Sequence, residues 1–127
     1  MLKQIHHIAI ICSDYERSKL FYTRVLGLEI VREVYRLERQ SYKLDLSLNG
    51  QYIIELFSFP DPPPRSSGPE ARGLRHLAFS VTDIEQAVAK LHTHSVITEP
   101  IRIDPHTGKR FTFFTDPDGL PLELYEL

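Results

Sequence analysis

His7-Ile8-Ala9-Ile10 near the N-terminus returns as His76-Leu77-Ala78-Phe79 in the middle of the chain, and the residues after each tetrapeptide return with it. Ser13-Asp14 comes back as Thr82-Asp83, and Asn49-Gly50 leading to Glu55-Leu56 comes back as Asp118-Gly119 leading to Glu123-Leu124. The histidines, alanines, aspartates and glycines are displaced by 69 positions and the glutamates by 68. One duplicated unit explains all of these matches, whereas chance must supply each separately.

Around the first histidine, residues 5–12 are apolar and β-branched enough for a strand. The period of two puts Ile8 and Ile10 on one face and His7 and Ala9 on the other. Ser13 and Glu16 have the spacing of a capping box and predict a helix through Phe21, Tyr22, Val25 and Leu26 that stops at Gly27. Thr82 and Glu85 repeat the box, and Ile84, Ala87, Val88 and Leu91 then form an apolar stripe at helical spacing. Strand-like runs follow at 28–35, 42–48 and 52–59 in the first half and at 101–103, 111–115 and 122–125 in the second. Asn49-Gly50 and Asp118-Gly119 mark the turns between the last two runs of each half.

Each half therefore reads as β-α-β-β-β. The expected fold class is α+β, with two tandem βαβββ units, 1–59 and 73–127, forming a curved mixed sheet around a site in a single domain of residues 1–127. Between them, 60–72 opens on Pro60-Asp61-Pro62-Pro63-Pro64, which can neither complete a ladder nor continue a helix, and reads as a linker or ordered surface loop. A unit of this size buries too little surface to be stable alone, so the halves are expected to pair sheet beside sheet, with the faces that carry His7 and His76 lining a shared concavity.

Composition narrows the function. A net charge of −2 with no lysine or arginine run provides no field for nucleic acid or an anionic membrane. No apolar stretch approaches the roughly 20 residues that cross a bilayer. Cys12 is the single cysteine, and the N-terminus lacks the basic-then-apolar pattern of a secretory signal, so a reducing, cytoplasmic setting is expected.

His7, Glu55, His76 and Glu123 stand at equivalent places in the two units and make a set of two nitrogen and two oxygen donors. Such a set suits Zn²⁺, Ni²⁺, Co²⁺, Mn²⁺ or Fe²⁺. On an octahedral ion it leaves two positions for the oxygens of a dicarbonyl, hydroxyketone or enediolate, with the metal acting as a Lewis acid. A lone strand histidine is more often a surface or hydrogen-bonded residue than a ligand, and a strand glutamate more often faces water. The repeat favours the ligand reading, because both carboxylates lie in apolar runs where an unpaired charge is costly to bury. His6 aligns with Arg75 rather than with a histidine, and His92, His94 and His106 have no counterparts and read as surface. Cys12 aligns with Val81 and reads as core. Lys109-Arg110 reads as a solvated hairpin or, if it faces the cavity, as a contact for a substrate carboxylate or phosphate.

The whole chain resembles the vicinal oxygen chelate superfamily, which includes glyoxalase I, methylmalonyl-CoA epimerase, fosfomycin-resistance enzymes and extradiol dioxygenases. The resemblance lies in the histidines, in Ser18-Lys19-Leu20-Phe21-Tyr22 with Leu26-Gly27-Leu28, and in Asp116-Pro117-Asp118-Gly119 running into Leu122-Glu123-Leu124. It implies the glyoxalase/bleomycin-resistance/dihydroxybiphenyl-dioxygenase fold, and the four metal positions of glyoxalase I fall on His7, Glu55, His76 and Glu123. Fosfomycin-type enzymes and dioxygenases typically use two histidines and one glutamate, so the ligand pattern points to the glyoxalase branch among short bacterial relatives. There, Glu123 or its partner Glu55 would be the base that moves a proton between neighbouring carbons through a metal-bound enediolate. Zinc or nickel is the metal that the resemblance suggests first. The arginine expected four residues after the first ligand is Ile11 here, and the asparagine four after the second is Phe59, which argues against glutathione. Members often dimerise, so a homodimer acting on a small molecule is expected. The alternatives are an epimerase or dioxygenase on the same scaffold, or a non-catalytic antibiotic-binding protein.

Overall fold

Strand β1 (Ile8–Cys12) keeps the alternation that its sequence dictates: Ile10 and Cys12 are buried, while Ala9 and Ile11 on the His7 face are exposed. The computed structural model describes all residues, 1–127, as two compact units, Met1–Pro64 and Arg65–Leu127. In the first unit, helix α1 (Tyr15–Leu20) follows β1, then come β2 (Glu29–Arg36), β3 (Ser41–Leu48) and β4 (Gln51–Ser58). In the second, β5 (Leu77–Val81) precedes helix α2 (Ile84–Thr93), β6 (Arg102–Ile103), β7 (Arg110–Thr115) and β8 (Pro121–Glu126). Each unit is the expected βαβββ motif with its own mixed four-stranded sheet, ordered β1-β4-β3-β2 and β5-β8-β7-β6. In both, the first strand lies parallel to the last and the other contacts are antiparallel.

The helix starts lie one residue later than the capping boxes predict. Asp14 caps α1 by accepting from the Arg17 backbone N–H at 3.2 Å, and Asp83 caps α2 by accepting from Gln86 at 3.0 Å. Aspartate is as good a cap as serine or threonine, and here the carboxylates reach the free amides of the first turn. Beyond Leu20 the first helix widens to a π-helical turn, Phe21–Val25, in which Leu26 N–H donates to the Phe21 carbonyl. Gly27, at φ +80°, then ends it where the sequence reading placed the stop. Fully buried Tyr22, Leu44, Leu46, Ile54 and Leu56 are core residues of the first unit, and Ile84 and Leu122 of the second.

The two hairpins differ although their glycines match. Asn49 (φ +50°) and Gly50 (φ +79°) form a two-residue turn between paired Leu48 and Gln51, the backbone that an Asn-Gly sequence favours. In the second unit Thr115 pairs with Pro121, leaving Asp116 to Leu120 as the loop. The Asp116 carboxylate organises that loop by accepting from Asp118 and Leu120 backbone amides, each at 2.9 Å. The first hairpin recovers the missing length in a β-bulge: Ser47 pairs with Tyr52 but Leu46 with Ile54, so Ile53 is an extra residue in β4. The strands of the two hairpins are consequently related by 68 positions, like the glutamates, while the turn glycines, 69 apart, sit one step out of structural register.

Candidate metal centre

Parallel pairing of first and last strands brings histidine and glutamate together independently in each unit. Ala9 is in register with Glu55, and Ala78 with Glu123. His7 and His76 lie two residues before those alanines and share their faces. His7 Nε2 stands 3.5 Å from Glu55 Oε1, and His76 Nε2 stands 3.0 Å from Glu123 Oε2. The glutamate side chains are largely shielded, at 13% and 12% exposed, while the imidazoles, at 35% and 27%, remain reachable.

The residue before each histidine touches its other ring nitrogen. His6 Nδ1 lies 2.8 Å from His7 Nδ1, and Arg75 Nη1 lies 3.2 Å from His76 Nδ1. Because a guanidinium can only donate, His76 Nδ1 accepts, and the hydrogen of the neutral ring sits on Nε2 facing Glu123. The donor set also fits a divalent ion: two ligands about 2.1 Å from a metal and at right angles are about 3 Å apart. Each unit holds two such donors.

The surroundings of the two carboxylates differ. Glu55 faces Asp45 across the ladder and sits in a polar network. Tyr52 donates its hydroxyl to Glu55 Oε2, Lys43 Nζ lies 3.5 Å from that oxygen and 2.7 Å from Asp45 Oδ1, and Arg32 Nε donates to Asp45 Oδ2 at 3.1 Å. Burial, then hydrogen bonds to Glu55 and Asp45, push the Tyr52 hydroxyl above its ordinary range, so it stays a donor. Burial opposes ionisation of Asp45, but Lys43 and Arg32 outweigh it and hold the carboxyl below its usual value. Glu123 instead faces Phe113, whose ring meets His76 edge-on at 5.1 Å.

Tyr52, Lys43, Asp45 and Arg32 are absent from the sequence reading. The alternation in Lys43-Leu44-Asp45 hints at a polar face, but Tyr52 and Glu55, three apart, share a face only because of the bulge at Ile53. The 68-position offset of the glutamates was a visible trace of that shifted register. Ile11 is exposed on the His7 face. Phe59 stacks on Phe57 beneath Arg36 and Arg39, so cations do cover that apolar position. His92, His94 and His106 are exposed, and Cys12 is buried with its thiol donating to the Phe57 carbonyl at 3.3 Å.

Arg110 is held by ion pairs, at 2.7 Å to Glu126 and 3.0 Å to Glu85. Neither it nor Lys109 borders the cavity of about 630 Å³ in the second unit. Arg65, Arg75 and Arg102 line that space instead, with Phe113. Arg110 thus already has two carboxylate partners, and the arginines that border the cavity are others.

The duplicated βαβββ fold is shared with known proteins. The sequence profile of one superfamily covers residues 4–124. The chain belongs to the Glyoxalase/Bleomycin resistance protein/Dioxygenase superfamily. Within it, uncharacterized protein YwkD of Bacillus subtilis (strain 168) is 69% identical, over 99% of this chain and 98% of that one. Uncharacterized protein YaeR of Escherichia coli (strain K12) is 68% identical over 98% and 97%. The crystal structure of the glyoxalase family protein from Enterococcus faecalis matches with a TM-score of 0.91 and 52% identity over 98% of both chains. More distant superfamily members have named activities. The trypanothione-dependent glyoxalase I of Leishmania major has a TM-score of 0.73 at 26% identity over 98% of this chain and 87% of that one. A 2-epi-5-epi-valiolone epimerase of Actinomyces sp is 28% identical over 97% and 79%.

Proposed function

We propose that this superfamily member is a metal-dependent lyase or isomerase of the glyoxalase I kind, moving a proton between neighbouring carbons of a small α-oxygenated substrate. The observation that carries the proposal is the histidine–glutamate pair built twice at matching strand positions. His7, Glu55, His76 and Glu123 are the proposed ligands of one divalent ion, zinc or nickel first, then cobalt, manganese or iron. Bound there, the ion supplies a Lewis acid for the substrate oxygens. The imidazoles bind through Nε2, which at His76 requires the ring hydrogen to pass to Nδ1 and Arg75 to release that nitrogen, and Glu55 is the anchored carboxylate, fixed by Tyr52 and Lys43. Glu123 is the base, because its neighbours are an imidazole and an aromatic wall rather than a network that holds it in place. Phe113 keeps water from that carboxylate. In this reading the protein works in the cytoplasm as a homodimer, a setting in which the Cys12 thiol stays reduced.

The test is turnover of methylglyoxal with a series of thiols by the metal-loaded protein, followed by NMR in D₂O. Glu123→Gln is expected to lower kcat by roughly 10²- to 10⁴-fold while metal is retained in part. Turnover unaffected by Glu123→Gln would remove it as the base. The epimerase relative favours a second reading, in which the same carboxylate inverts a carbon centre. Solvent deuterium entering a substrate whose bonding is otherwise unchanged, with no activity on any thiohemiacetal, selects that reading.

A further inference from the structure

We infer that the cavity beside the His76–Glu123 pair is a subsite for an oxyanion carried by the substrate, a carboxylate or a phosphate. The inference rests on that pair being part of the reaction centre, and it narrows the substrate to small α-oxygenated compounds with an anionic group. A volume of about 630 Å³ suits such a molecule. Arg65, Arg75 and Arg102 line it against the two carboxylates of Glu70 and Glu99. Arg65 donates to Ser67 Oγ and to the carbonyls of Leu74 and Arg75, so it has neutral partners and keeps its charge available.

Arg75 pairs with Glu70 at 2.9 Å and Arg102 with Glu99 at 2.9 Å, but both acids are more than half exposed. Water-exposed pairs are weak, and an arriving oxyanion competes for their forked donors on favourable terms. Arg102 also packs on aromatic rings, its Cζ 4.9 Å from the Phe111 ring centre and 5.9 Å from that of Phe113. A guanidinium already resting on aromatic rings has less freedom to lose on binding. Phe113 is shared: it lines the cavity, opposes Glu123 in the ladder and packs on His76. An anion held by the arginines therefore leaves the rest of a small molecule against the wall next to Glu123.

Metal-free full-length protein is titrated with phenyl phosphate, benzoate and phenol, followed by calorimetry and amide NMR. The titration requires no ion, so a failed metal centre leaves its outcome readable. Saturable binding of at least one anion is expected, at least about tenfold tighter than phenol, with shifts at Arg75, Arg102 and Phe113. Whichever anion binds better identifies the group. Arg102→Gln should weaken that anion by about ten- to a hundredfold, and Arg102→Lys by less. Lys109→Gln, outside the cavity, should leave it unchanged. Phenol binding as tightly as the anions, no saturable anion binding, or an equal loss in Lys109→Gln would overturn the subsite.

Discussion

An imidazole has two nitrogens, and the residue preceding each site histidine engages the one that faces away from its glutamate. His6 does this for His7 and Arg75 for His76, leaving Nε2 turned to the carboxylate in both units. The paired carboxylates were legible as a repeated residue type. Their inequality was not, since it arises from Asp45 and Phe113 occupying the same ladder position opposite them. Groups that orient ligands typically contribute ten- to a hundredfold to metal affinity. Tyr52→Phe, which removes the donor to Glu55, should therefore weaken divalent-ion binding about tenfold in a competition assay with a chromophoric chelator. Unchanged affinity would show that Glu55 needs no such support.

At the scale of elements, the same local sequence choice is made twice and then diverges. Asp14→Ala and Asp83→Ala should each lower stability by about 1 kcal/mol in denaturant melts, and Thr82→Ala by much less. The opposite order would restore the capping boxes that the sequence suggests. The Asn49-Gly50 turn needs positive φ at both residues, and no atom crowds a Cβ at Gly50. Gly50→Ala should cost about 1–2 kcal/mol from backbone strain alone. Helix α1 is tied to β2 by Glu33, which accepts from Tyr15 and, at 2.7 Å, from Lys19. Those hydrogen bonds, Lys19 first, hold the Glu33 carboxyl below its ordinary range. Its folded value is lower than its unfolded one, so its contribution is full above the ordinary glutamate range and fades as pH falls through the lowered value. Glu33→Gln should destabilise by no more than about 1 kcal/mol at neutral pH, with the difference closing as pH falls below the ordinary glutamate range. A constant difference across pH would contradict that linkage. Turn glycines are a poor guide to register because turn chemistry is local, whereas ladder pairing is set by burial along whole strands.

Across the whole molecule, the fold class was readable because strand and helix periods recur with the histidines, and duplication restricts the architectures that explain them. The arginine cavity was not readable: Arg65, Arg75 and Arg102 are separated in sequence and meet only through the return of the 65–75 segment along β7 and the loop before β6. No helix is long and apolar enough to cross a membrane. The central claim is that two histidine–glutamate pairs hold one ion per chain. Metal content and affinity of the full-length protein, measured by mass spectrometry and calorimetry with Ni²⁺ and Zn²⁺, test it most directly. The expected result is one ion per chain, lost or weakened by at least about a hundredfold in His7→Ala and in His76→Ala while the melting transition stays cooperative. Stoichiometric binding unchanged in His76→Ala would contradict the account.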